Sequence, residues 1–280
     1  MSVTARVGLK TSSQIDKGKK NVLGILVNAV NYEAAVSKII AAASAGKPMS
    51  VSALAVHGVM TGVLDSTHRY RLNHIDLVLP DGQPVRWALN LLYHTKLPDR
   101  VCGPDTMLQI CERAAEEGLF YLYGSKASVL EALSRNLCQR FPGLIIAGTQ
   151  PSKFRQVSPQ EKQETAQQIR NSGAAITFVG LGCPRQEVWA YEYRDDLSMP
   201  LIAVGAAYDF HAGNLAKSPE WLSNLGLEWV FRMMKEPKRL WKRYVFLNPL
   251  FMWLFFLQAF KIKHFDPTDA TRPVEEVLYG

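Results

Sequence analysis

Residues Ala175–Val204 read AITFVGLGCPRQEVWAYEYRDDLSMPLIAV, and this stretch decides the fold. An apolar run, Ala175–Val179, stops at Gly180-Leu181-Gly182-Cys183-Pro184. A helix-length segment from Arg185 to about Asp196 follows, and a second apolar run, Leu201–Val204, ends at Gly205. Strand, glycine turn, helix and strand make one parallel crossover unit. Working outward, the same unit recurs. Leu119–Tyr123 runs into Gly124-Ser125-Lys126, then a helix to about Phe141 and a strand at Leu144–Gly148. The loop Thr149–Ser158 leads to a helix over Gln160–Asn171. Upstream, strands are expected at Asn21–Val27, Met49–Leu54 and Ile75–Leu79. Helices are expected from the N-cap Asn31 to Ala45, over Ala55–Asn73, at Val85–Tyr93 and at Asp105–Glu117. The pattern predicts an α/β fold: an open, mainly parallel sheet with helices on both faces. After Pro219 the pattern is helical throughout, broken by Pro237 and Pro249.

At 280 residues and 48% hydrophobic, the chain can bury a sizeable core. Its four cysteines show no metal spacing, and its first 20 residues carry Lys and Arg without an apolar run. A reduced, cytoplasmic protein is the expectation. The charge is lopsided. Glu228–His264 holds eight Lys/Arg against two acids, which is +6 of the formal +7. Ten large aromatics lie in the same stretch, among them Trp229, Trp241, Trp253 and Phe256. Interleaved cations and aromatics suit an anionic membrane surface or a phosphate-bearing ligand. The aromatics can equally pack on the main domain. The apolar run Val245–Phe260 has 16 residues, about 24 Å as a helix against a bilayer core of about 30 Å, so lying in the interface is favoured over spanning. The expected organisation is a basic flexible tail (1–20), a catalytic domain (21–226), a helical basic and aromatic appendage (227–265) and a weakly ordered polar tail (266–280).

In such a sheet ligands sit beyond the carboxyl ends of the strands. Four clusters fall there: Pro80-Asp81-Gly82, Gly124-Ser125-Lys126, Gly180–Pro184 and Gly205–Asp209. Asp81, set between a rigid Pro and a permissive Gly, can act as a general base or simply close a turn. The glycine loops bring main-chain N–H groups and a helix start toward a guest, and phosphate is the natural one. Gly180–Arg185 lacks the third glycine of the dinucleotide fingerprint, and Leu201–Val204 does not end in an acid, which disfavours a nicotinamide cofactor. There is no D-x-D and no His/Cys cluster, so neither metal nor cofactor is expected. Arg232, Lys235, Arg239 and Lys242 fall roughly on one helix face, where they could meet a diphosphate or only solvent. His57 follows a strand and either faces the site or packs. A non-catalytic basic module binding membrane or nucleic acid is the alternative class, but it leaves the glycine loops without a role.

Seven ordered segments carry a resemblance. They are Ile75–Gly82 (IDLVLPDG), Leu97–Asp105 (LPDRVCGPD), Leu122–Lys126 (LYGSK), Phe141–Leu144 (FPGL), Val179–Glu187 (VGLGCPRQE), Val204–Phe210 (VGAAYDF) and Leu227–Trp229 through Glu236–Trp241. On these the chain resembles the WecG/TagA/CpsF family of bacterial glycosyltransferases from about Asn21 to Asn248. The resemblance implies a Rossmann-like core and an inverting, metal-independent transfer. The donor is a UDP-sugar, and the acceptor is a sugar on undecaprenyl diphosphate at the inner face of the membrane. It implies Asp81 as the catalytic base, Arg100 and Gln186 at the sugar and diphosphate, and Asp209 near the nucleotide. The appendage contributes Arg232, Arg239 and Arg243, touches the membrane, and competes with homo-oligomerisation for docking. The candidate substrate-binding set also takes in Ser52, Gly82, Asp105, Gly124, Ser125, Lys126, Gly180 and Gly182. No nucleic-acid partner is expected. Where the family reads T-x-N, this chain has Ser52-Ala53-Leu54, which shifts the expected donor from N-acetylmannosamine types toward glucose or another plain hexose.

Overall fold

The structure is a computed structural model. It describes residues 13–114, 118–216, 218, 219, 222 and 228–280, without the side chains of Glu228, Arg239 and Lys242. Six parallel strands form the main sheet: β3 (Met49–Leu54), β4 (Leu77–Pro80), β5 (Leu119–Gly124), β6 (Ile145–Gln150), β7 (Ile176–Gly180) and β8 (Pro200–Ala203), in the order β4-β3-β8-β7-β5-β6. The intervening helices are α1 (Tyr32–Ser44), α2 (Val56–Leu64), α3 (Ser66–Asn73), α4 (Gln83–Tyr93), α5 (Gly103–Arg113), α6 (Ala127–Arg140), α7 (Pro159–Asn171), α8 (Arg185–Tyr193) and α9 (Ala207–His211). Helices cover both faces, so the strands are nearly continuous apolar runs, buried throughout in β4 and β8. This is the expected Rossmann-like architecture.

The strand order reverses between β7 and β5. β5 leads outward to the edge strand β6, whereas β7 leads back toward β8. The loops after β5 and β7 therefore part company above the paired residues Gly124 and Gly180, and a crevice opens there.

The amino-terminal strand is a hairpin rather than one run. β1 (Asp16–Val22) pairs antiparallel with β2 (Ile25–Val30) across Leu23-Gly24, at φ 56° and 86°. Two residues in the left-handed region make the tight hairpin turn that matches strand twist. The hairpin lies along the edge of the sheet, where Asn28 Oδ1 accepts from Val78 N at 2.8 Å. Residues 16–20, expected in a flexible tail, are thus strand; residues 1–12 lie outside the described residues. The single helix expected over 55–73 is two, because Asp65 accepts from Thr67 N and His68 N and starts α3 anew.

The appendage comprises α10 (Glu228–Lys235), α11 (Pro237–Lys242), a π-helical turn (Arg243–Leu247) and α12 (Asn248–Ala259). Pro237 and Pro249 stand in the first turns of α11 and α12, where a missing N–H costs nothing. No helix among the described residues is long and apolar enough to cross a membrane. The last residues, expected to be weakly ordered, are tied down instead. The Glu192 carboxylate accepts from Val277 N and Leu278 N at 2.7 and 3.0 Å, and Ser152 Oγ donates to Gly280 O at 2.7 Å. Burying Glu192 requires such partners, and the chain end supplies them.

Candidate active site

A cavity of about 730 Å³ lies beyond the carboxyl ends of β3, β4, β5, β7 and β8, and the appendage closes its far side. All four strand-end clusters singled out from the sequence contribute to its wall.

Asp81 follows β4 and is half-buried at the wall. Its backbone N donates to Leu54 O at 3.2 Å, and its Oδ2 accepts from Gly103 N at 3.5 Å. Val101 N donates to Pro80 O at 2.9 Å, so the Arg100–Gly103 segment is laid against the same strand end. Gly82, at φ 92°, turns the chain into α4, and Arg100 lines the cavity beside it. Ser125, Lys126, Gly180, Gly182, Gln186 and Asp209 all line the cavity as well. Three expected site residues stand behind the wall. Gly124 packs on β7, where a Cβ would meet the Gly180 backbone at 2.8 Å. Asp105 accepts from Cys102 Sγ at 3.2 Å. Ser52 is fully buried and donates to Glu187 Oε1 at 3.1 Å.

That last contact exposes a network the sequence reading missed. Glu187 Oε1 also accepts from Gln186 Nε2 at 2.8 Å, and Gln186 Oε1 accepts from Gly182 N at 3.1 Å. Glu187 is wholly buried, and burial pushes its carboxyl above the ordinary range. The chain Ser52–Glu187–Gln186–Gly182 fixes one side-chain amide at the cavity wall from beneath the sheet. No local pattern in the sequence marks it, because Ser52 lies 135 residues from Glu187.

The appendage supplies Arg232 and Arg243 to the cavity, with Trp229 and Tyr244, whose rings lie 5.6 Å apart. The Arg232 guanidinium sits 5.8 Å from the Phe210 ring centre. The side chain of Arg239 lies outside the described residues. His57 does face the cavity, and its imidazole is held down at about 4, first by burial and then by the charge of Arg243. The thiols of Cys102 and Cys183 at the wall are both pushed up by burial, with help from the Asp81 and Glu187 carboxylates respectively. Neither can serve as a thiolate near neutral pH.

Among the helices that open onto this cavity are α2 at Ala55, α4 at Gly82, α5 at Cys102 and α6 at Lys126. None is capped by its own N-cap side chain, and apart from Gly103 N, which Asp81 takes, their first-turn N–H groups are left for other acceptors. With Arg100, Lys126, Arg232 and Arg243, the wall is suited to a guest carrying several negative charges. Among the described residues, no three His, Cys, Asp or Glu side chains gather where they could hold a metal ion.

Comparison with known proteins agrees with this geometry. Residues 20–264 match the model of the "Glycosyl transferase WecG/TagA/CpsF family". Over 174 residues the chain is 29% identical to the N-acetylglucosaminyldiphosphoundecaprenol N-acetyl-beta-D-mannosaminyltransferase of Bacillus subtilis (strain 168). That match spans 61% of this chain and 65% of the relative, so just under two thirds of the relative is covered. With its family model matched from the β1–β2 hairpin through the appendage, the chain belongs to the glycosyl transferase WecG/TagA/CpsF family.

Proposed function

We propose that this chain is an inverting, metal-independent glycosyltransferase. In this reading it moves a sugar from a UDP-sugar to a sugar carried on a polyprenyl diphosphate, the acceptor class in the name of the Bacillus subtilis relative. It works in cell-surface polysaccharide assembly, peripherally on the inner face of the cell membrane. The observation that carries the reading is one cavity with a fixed carboxylate on one wall and uncapped helix starts and arginines around it.

Asp81 takes the proton from the acceptor hydroxyl as that oxygen bonds to the anomeric carbon. The bond from that carbon to the UDP oxygen breaks on the opposite side, and UDP leaves with the electron pair. Attack opposite the leaving group inverts the centre. Arg100, Gln186, Arg232, Arg243 and the open N–H groups receive the charge that grows on the diphosphate. Asp209 stands at the nucleotide end. Leu54 lines the cavity where the family pattern has Asn, and its side chain fills the space over Gly58, whose Cβ would meet it at 2.6 Å. An apolar group there offers nothing to an N-acetyl substituent, which favours glucose or another plain hexose as donor.

Asp81→Asn should keep UDP binding, read as an unchanged thermal shift with UDP, and lose at least ~100-fold in turnover. Near-normal turnover would remove Asp81 from the mechanism. A chain that shows no shift with UDP, UDP-glucose or UDP-N-acetylmannosamine would remove the donor class.

A further inference from the structure

α4 belongs to the catalytic domain and α12 to the appendage, yet the two helices are pinned to the same places at both ends. α4 opens at the cavity, where Gly82, Gln83 and Pro84 line the wall, and Asn248 at the start of α12 lines it too. Both helices finish at the backbone of Asn21. Tyr93 Oη donates to its carbonyl at 2.7 Å and Gln258 Nε2 at 3.1 Å. Between those ends Val85, Ala88 and Leu89 of α4 and Phe251 of α12 share one core cluster. The two helices also touch each other, and neighbouring helices that run the same way over one core turn their outer stripes to the same side.

Those outer stripes are apolar. Trp87 and Leu91 on α4 are 44% and 64% exposed. On α12 and just beyond it, Met252, Trp253, Phe256 and Phe260 are 48%, 59%, 46% and 65% exposed; Trp253 stacks on Phe256, whose ring lies tilted 4.4 Å from that of Phe260. Neither helix carries an acidic residue. Cations border the face where the helices end. Lys17 Nζ donates to His94 O at 3.3 Å, Lys20 lies 5.8 Å from the Tyr93 ring centre, and Lys263 lies 5.2 Å from that of Phe265. Water-facing surfaces rarely gather so many apolar side chains, and lysines at one end of a face that carries tryptophans match an anionic bilayer interface.

We propose that α4 and α12 form one membrane-binding face, so that the catalytic domain itself rests on an anionic lipid surface and the cavity opens at the edge of that face. The consequence for catalysis rests on the reading of the cavity as the site for a lipid-linked acceptor. A diphosphate held at the headgroup level would then reach Asp81 without leaving the membrane, because α4 begins one residue after Gly82.

The test is cosedimentation of the full chain with vesicles of phosphatidylglycerol and phosphatidylcholine. Wild type is compared with Trp87→Ser/Leu91→Ser on α4 and with Trp253→Ser/Phe256→Ser on α12. The thermal shift with UDP reports that each variant folds. Each pair should lower vesicle partitioning at least ~10-fold while leaving the UDP shift unchanged. Partitioning at the wild-type level for the α4 pair, with loss for the α12 pair, would overturn the proposal and leave docking to the appendage alone. Wild-type partitioning for both pairs would remove lipid docking altogether. A wild-type dimer that the α4 pair converts to monomer would also overturn it, by assigning the face to a second copy of the chain.

Discussion

Four helices that start at the cavity and three that start elsewhere are finished differently. α1, α3 and α7 begin at Asn31, Asp65 and Ser158, and each of these side chains accepts a first-turn N–H. α2, α4, α5 and α6 begin at Ala55, Gly82, Cys102 and Lys126, and none of these does. A cap stabilises by about 1 kcal/mol, so folding alone favours one at every start. The cavity-facing starts forgo it. Apart from Gly103 N, which Asp81 takes, their donors stay open for the oxygens of a ligand, and the empty protein is less stable than its sequence could make it.

The largest effect expected from that contrast comes from supplying the missing cap with charge. Ala55→Asp should satisfy the first turn of α2 and so raise the melting temperature of the unliganded chain. It also sets a carboxylate at the cavity wall next to Gly82, where a Cβ would lie 3.7 Å from that of Ala55. A diphosphate then meets a like charge, and turnover should fall at least ~100-fold, about 2.7 kcal/mol. Unchanged turnover in a correctly folded Ala55→Asp chain would show that the open start of α2 faces no anion.

A smaller loss is expected beneath the wall. Glu187 touches no part of the cavity but holds Gln186 and Ser52. Glu187→Ala should cost about 10-fold in turnover, acting through the freed Gln186 amide. Because the two residues work as one unit, Gln186→Ala/Glu187→Ala should be no slower than Gln186→Ala alone. Multiplying losses in the double variant would mean that Glu187 acts by another route.

The two kinds of residue also differ in how far sequence reveals them. Strand-end glycines and Asp81 announce themselves, since a turn after an apolar run is a local signal. Asn31 as the start of α1 was legible for the same reason. Gln186 is reached only through the family resemblance, which also gives Asp209, already in a strand-end cluster, its place near the nucleotide. Glu187 was not reached: its partner Ser52 lies 135 residues away, and nothing local marks a carboxylate that will be buried. The division of 55–73 at Asp65 and the left-handed Leu23 were hidden by helix and strand patterns that continue through them. The polar composition of the chain end predicts weak order, whereas a buried carboxylate on α8 and a serine after β6 hold it. Composition reports what a segment contains, not which buried groups elsewhere need it as a partner.

Two histidines carry the same contrast into titration. His57 lies in the first turn of uncapped α2 and His68 in the first turn of capped α3. Burial is the main cause that holds each imidazole down at about 4. Both are neutral in the folded chain and charge near 6.5 when it unfolds. Between about 6.5 and 4 the unfolded state therefore binds more protons, so stability is full above that window and falls as pH drops through it. Thermal unfolding across pH 8 to 4 should show the decline. UDP separates the two residues: an anion at the start of α2 should raise the pKa of His57, followed by its ring proton shifts, and leave His68 where it was. An equal response from both would mean that the nucleotide does not reach α2.

The smallest effect belongs to a helix start that faces away from the cavity. At α7 the box is complete: Glu161 N donates to Ser158 Oγ at 3.2 Å and Ser158 N to Glu161 Oε2 at 2.8 Å. Glu161 also holds Lys153 and Arg155, so one side chain ties the loop after β6 to the helix. Ser158→Ala removes one acceptor and should cost about 1 kcal/mol, a fall of about 2–4 °C in a chain of this size. Turnover should not change, because neither residue lines the cavity. The mirror variant Ala55→Ser adds an uncharged cap at the open start of α2. It should raise the melting temperature by a similar amount while weakening UDP binding, because its hydroxyl competes for the same N–H groups. Opposite signs in stability and an effect on binding at only one of the two sites are what distinguish a helix start kept open for a ligand from one that is merely uncapped.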